Sequence, residues 1–161
     1  MSAFLSWLEG SPLGHLMRES GVWTYAIVNL SHILGISTLF GSVLLLDLRL
    51  LGCWPRVPLA SLSRAAVPLA RVGFAIAAIA GVGLLATKAT EYRGNPFMLI
   101  KFPAIAIALV NVAVLGRSRA WRAHRQRDLS PNERRQLAVF GAISLGAWVT
   151  AVAAGRMVGY W

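Results

Sequence analysis

Residues 22–46 read VWTYAIVNLSHILGISTLFGSVLLL, twenty-five positions without a charge. About 20 mostly apolar residues cross the hydrocarbon core of a bilayer, so this stretch spans with some tilt. Asp47-Leu48-Arg49-Leu50-Leu51-Gly52 ends it, and Pro55 and Pro58 mark the loop beyond. A small-residue stripe at Ser31, Gly35, Thr38 and Ser42 lets a neighbouring helix approach closely.

Three further runs have the same character. One covers about residues 65–86, with Pro68 in its first turn and Gly73, Gly81 and Gly83 as close-packing positions. Another covers 97–115, entered through Asn95-Pro96, with Lys101 near its start, Pro103 as an expected kink and Asn111 near its far end. The last covers 137–158. Its helix starts earlier, in water, because Ser130-Pro131-Asn132-Glu133 is a capping box with proline at the first helical position. Residues 2–18 are broken by Gly10-Ser11-Pro12 into two pieces too short to span, expected to lie in the membrane interface with their apolar sides in lipid. The start lacks the basic n-region and sustained apolar run of a cleaved signal, so it is expected to remain in the mature protein. The expected fold is all-α: a four-helix transmembrane up-down bundle with an N-terminal amphipathic interfacial segment, one integral membrane domain over 1–161.

Of 161 residues, 57% are apolar and 14% charged. Soluble domains carry about 25% charged residues. The net charge of +10 does not point to nucleic acid, because the basic residues fall between the apolar runs, where headgroups and topology account for them. Eleven of the sixteen lie after the first and third spans, seven of those between Arg117 and Arg135, against five on the other side. The positive-inside rule then makes both long loops cytoplasmic and both termini outer. Cys53 is the single cysteine, which excludes an internal disulfide and a cysteine-based zinc site. No nucleophile with a base, carboxylate pair or phosphate-cradling loop is legible at a meaningful spacing.

His32 is the first candidate for chemistry. It lies ten residues into the first span, about 15 Å of rise, and an ionisable group at that depth is costly unless it serves a purpose. Asn29 and Gly35, one turn to either side, give it a polar neighbour and a small flat surface against which a porphyrin or quinone head could lie. The alternative is a neutral histidine hydrogen-bonded to Asn111 or to a backbone carbonyl of another helix, setting register. No second intramembrane histidine exists to complete a bis-histidine haem, since His15 belongs to the outer interface and His124 to a loop. Arg156 and Tyr160, one turn apart and level with Lys101, Glu91 and Tyr92, suit an acidic substituent such as a haem propionate, or else form a snorkelling and aromatic belt. Met17, Met98 and Met157 with His15 offer thioether and imidazole ligands suited to Cu(I), with His32 a further metal ligand. Ordinary interfacial packing also accounts for these methionines. Asp47 and Arg49 read as a local ion pair finishing the span, with a proton-relay role as the alternative for Asp47, the one acid adjoining an apolar run.

Ser31-His32-Ile33-Leu34-Gly35, Asp47 to Gly52, Asn95-Pro96-Phe97 through Lys101, Asn111, and Gly155-Arg156 with Tyr160 together resemble a family of small bacterial inner-membrane proteins with no settled activity. The resemblance implies a multi-pass protein of the bacterial cytoplasmic membrane. That family commonly has a histidine near the end of the third span where this chain has Gly116, so a two-histidine cofactor does not carry over. More distantly, His32 followed by Arg49 is similar to HemJ-type protoporphyrinogen oxidases and copper-resistance D-type membrane proteins, which imply haem or porphyrin chemistry in one case and copper in the other. The functional expectation is a membrane protein holding a b-type haem or quinone-like group through His32 for electron transfer. The alternatives are a non-catalytic subunit or anchor of a larger complex, or copper or small-solute handling. The expected partners are the bilayer and either a second copy or a membrane complex.

Overall fold

The computed structural model describes residues 2–161 and is an all-α four-helix membrane bundle, without strands among the described residues. Its α-helices are α1 (Ser2–Glu9), α2 (Pro12–Glu19), α3 (Gly21–Leu50), α4 (Leu59–Thr87), α5 (Pro96–Arg117), α6 (Arg119–Ala123) and α7 (Pro131–Met157). Short 3-10 turns follow α4 at Ala89–Tyr92 and α7 at Val158–Tyr160. The helices α3, α4, α5 and α7 are long and apolar enough to cross a membrane. Contacts divide the described residues into two compact units, one of residues 2–39 and 70–95 and the other of residues 40–69 and 96–161.

In the first unit α3 and α4 meet backbone to backbone. A Cβ added to Gly35 would lie 2.6 Å from the Ala77 amide nitrogen, and one added to Gly73 would lie 2.8 Å from the Gly35 carbonyl oxygen. Only glycine permits that approach, and apolar surface alone drives little association between helices in lipid, so dispersion at such close contacts carries the packing.

The N-terminal pieces are more than an amphipathic float. Ser11 caps α2 by accepting from the Gly14 amide, with Pro12 at the first helical position, as its sequence dictates. But Leu5 and Leu8 pack on Ala86 and Ala89 rather than in lipid, and the buried Met17 lies against the face of Gly83. The Glu9 carboxylate accepts from both the amide and the hydroxyl of Thr90 at 2.7 Å each, and Arg18 donates to the carbonyls of Glu9 and Thr87. Those Thr90 bonds favour the ionised carboxylate and hold Glu9 below its ordinary range. Phe4, Trp7, Leu13 and Leu16 remain exposed, as an interfacial face requires.

In the second unit α5 runs beside α7, and α6 covers the end of both. Leu50, Leu115, Ala120 and Leu137 form its buried cluster, with Leu59, Trp121, Leu129 and Phe140 around them. The capping box at the start of α7 is complete: Ser130 accepts from the Glu133 amide and Glu133 from the Ser130 amide.

Several boundaries differ from expectation. Helix α3 continues to Leu50, through Asp47 and Arg49, and α4 begins at Leu59 rather than 65, which moves Pro68 from the first turn to the helix interior. The Pro58 carbonyl already accepts from the Ser61 and Leu62 amides, starting α4 a turn and a half early. The expected Asp47–Arg49 ion pair is replaced: Arg49 donates to the carbonyls of Val57 (2.7 Å) and Pro55 (3.3 Å), tying down the loop. The left-handed conformations at Gly52 (φ 104°) and Trp54 (φ 49°) reverse the chain there.

Candidate functional site

Two polar groups of the spans, His32 and Asn111, are deployed as helix clamps. His32 Nδ1 lies 2.7 Å from the Ala77 carbonyl oxygen, and since a carbonyl only accepts, Nδ1 is the protonated nitrogen. The Ala77 carbonyl lies in mid-helix, where its intrahelical partner is the amide four residues on. Helical side chains lean toward the N-terminus and cover the preceding turn. A side chain at residue 81 would therefore cover the Ala77 carbonyl, and Gly81 leaves it open. The imidazole fills that opening, its Cε1 lying 2.9 Å from where a Gly81 Cβ would stand.

The same device recurs in the second unit. Asn111, buried on α5, donates through Nδ2 to the Phe140 carbonyl of α7 at 3.0 Å, and four residues beyond Phe140 stands the small Ser144. Thus His32 finds its partner in a carbonyl of the facing helix, one of the two partners expected of it, while Asn111 binds within its own unit.

The remaining candidates fall as follows. Asn29 is half-buried, and Gly35 is no open surface, since the backbones of Ala77 and Gly73 occupy it. Arg156 donates to the Tyr160 hydroxyl and stacks on its ring at 4.7 Å to the centroid, both groups exposed. The Lys101 stem and ammonium lie along the face of Gly155, with the nearest atoms 3.4 Å from a Cβ placed there. Glu91 pairs with Lys88 at 3.0 Å. His15 faces Glu19 at 3.6 Å, both exposed, while Met17 is buried. Those two belong to the first unit, Met98 and Met157 to the second. No group of three or more His, Cys, Asp or Glu side chains could hold a metal among the described residues.

One pair was not legible in the sequence. Ser63 Oγ and His124 Nε2, 61 residues apart, lie 2.8 Å from each other, and His124 Nδ1 donates to the Trp121 carbonyl beneath the Trp121 ring. The order hydroxyl, imidazole, carbonyl is that of a nucleophile and its base. Ser63 is fully buried, however, so no substrate can reach it and the pair acts as a latch. Two residue types separated by that distance give no periodic signal; only the packing of α6 brings them together.

The fold and its clamps define a multi-pass α-helical membrane protein. The chain belongs to a family of unknown function, DUF6644, whose model matches residues 4–161. No curated protein and no solved structure matches the chain, so neither HemJ-type oxidases nor copper-resistance D-type proteins gain support from these comparisons.

Burial holds His124 below the ordinary histidine range of 6.5, with Arg125 acting the same way and the bond to Trp121 opposing them. The folded value lies below the unfolded one, so the stabilisation is complete above about 6.5 and is lost as pH falls through the folded value. Thermal unfolding in detergent is expected to show wild-type stability declining on acidification below that point, and His124→Asn removing much of the decline. An unchanged pH profile in the variant would refute the latch.

Proposed function

We propose that the protein is a non-catalytic membrane subunit, a helical scaffold whose intramembrane histidine holds two spans in register and whose outer apolar faces meet lipid and a partner in the membrane. The observation that carries this reading is the His32 bond to the Ala77 carbonyl over Gly81: the one ionisable imidazole within a span is engaged in helix pairing. The outer faces are extensive. Between 22% and 39% of the most apolar stretch of each span is buried within the chain, which leaves ample surface for a neighbour as well as for acyl chains.

A second reading, a b-type haem or quinone-like redox group at His32, is favoured by one feature. Donation from Nδ1 to a backbone carbonyl selects the tautomer whose Nε2 carries the lone pair, which is how a ligating histidine is oriented. Such a group would have to approach by an edge other than the Gly35 face, which α4 occupies.

One comparison separates the two readings. For the scaffold, His32→Ala is expected to lower stability in detergent by about 1 kcal/mol, the scale of an interhelical hydrogen bond in membranes, His32→Asn to recover part of it, and neither wild type nor variant to show a Soret band. A Soret band in haem-supplemented wild type that vanishes in His32→Ala would overturn the scaffold in favour of the redox reading.

The distribution of arginines supports a cytoplasmic-membrane orientation with both Arg-rich loops inside and the termini outside. Cys53, exposed in the loop after α3, reports on this directly. A membrane-impermeant maleimide is expected to label it in inverted vesicles and not in intact cells; the reverse pattern would invert the assignment.

A further inference from the structure

Asp47 is the acid that the clamps leave unexplained. It lies in the last turn of α3, three residues before the helix ends, and is 3% exposed. Around it in the second unit stands α7: a Cβ on Gly141 would lie 3.1 Å from the Asp47 carbonyl oxygen and 3.6 Å from its Cα, and Ser144 hydrogen-bonds to the carboxyl. The other carboxyl oxygen, Oδ2, is buried and has no hydrogen-bond partner among the described residues.

Among the described residues no salt bridge reaches this group. Arg49, two residues on, is engaged with the carbonyls of Pro55 and Val57. The α7 residues that meet Asp47, Gly141 and Ser144, are uncharged, and none of the salt bridges among the described residues involves the carboxyl. An isolated buried carboxylate costs several kcal/mol or more, whereas a neutral carboxylic acid costs only what an imperfectly bonded hydroxyl does. A divalent cation would need six or more oxygens, and the donors here are one carboxyl and one hydroxyl.

We propose that Asp47 and Ser144 form a proton-binding site: the Asp47 carboxyl carries a proton on Oδ2 at neutral pH, Ser144 donates to Oδ1, and the site exchanges its proton with water on the side of the Arg-rich loops. Its position supports that direction, because three residues of helix, about 4.5 Å of rise, separate it from the loop that follows Leu50. The step is carboxylate plus proton giving carboxylic acid, and needs no other reactant. This inference does not depend on the role of His32.

Infrared spectroscopy of the purified full chain tests it, because the remaining acids leave a clear background. Glu9 accepts from Thr90, Glu91 pairs with Lys88, Glu133 with Arg127, Glu19 with His15, and Asp128 is exposed. At pH 7 the wild type is expected to show a protonated-carboxyl stretch equivalent to one group per chain, shifted by deuterium exchange, lost in Asp47→Asn and displaced in frequency in Ser144→Ala. Absence of the band in folded wild type would overturn the proposal, as would its survival in Asp47→Asn. Should Asp47→Asn fail to fold, an unshifted band in Ser144→Ala would overturn it instead.

Discussion

The structure depends on a side-chain donor reaching a backbone carbonyl of the facing span, at a point where a small residue one turn later leaves that carbonyl uncovered. In lipid no water competes for such a carbonyl, and a polar side chain without a partner is costly. His32 meets Ala77 over Gly81, and Asn111 meets Phe140 one turn before Ser144. The small residue acts twice, since it both admits the approach and exposes the acceptor. Where it is glycine, as at Gly35 and Gly73, the backbones themselves come into contact.

Two further constraints follow from these clamps. Because α4 is fixed against α3 in the first unit, its far end and the 3-10 turn after it offer Ala86, Thr87 and Thr90 as a landing for the N-terminal pieces, which dock through Leu5, Leu8, Glu9 and Arg18 instead of floating in the interface. In the second unit Ser144 serves two neighbours: its small size accompanies the Asn111 clamp, and its hydroxyl meets Asp47. An acid that reads in the sequence as the end of a span thereby becomes a buried one.

The spans were legible because hydrophobic length reports directly on bilayer thickness, and the caps at Ser11 and Ser130 because capping is local chemistry within four residues. The close-packing glycines of α4 and a carbonyl partner for His32 were also within reach, since spacing marks the first and cost demands the second. What failed was whatever depends on the register between helices. The openness of Gly35 and the pairing of Asp47 with Arg49 were each judged along one helix, whereas Ala77, Ser144 and the Ser63–His124 latch are set by a second. The early start of α4 at Leu59 escaped because Ser61, Ser63 and Arg64 carry no apolar signal, while backbone bonds to the Pro58 carbonyl do the starting.

A double-mutant cycle on His32→Ala and Gly81→Ala, followed by unfolding in detergent, tests the clamp most directly. Both substitutions strike the same bond, one by removing the donor and the other by covering its acceptor. The clamp predicts that the second substitution costs little once the first is present, with a coupling of about 0.5 kcal/mol or more. Strictly additive losses would mean that His32 and Gly81 act independently and would contradict it.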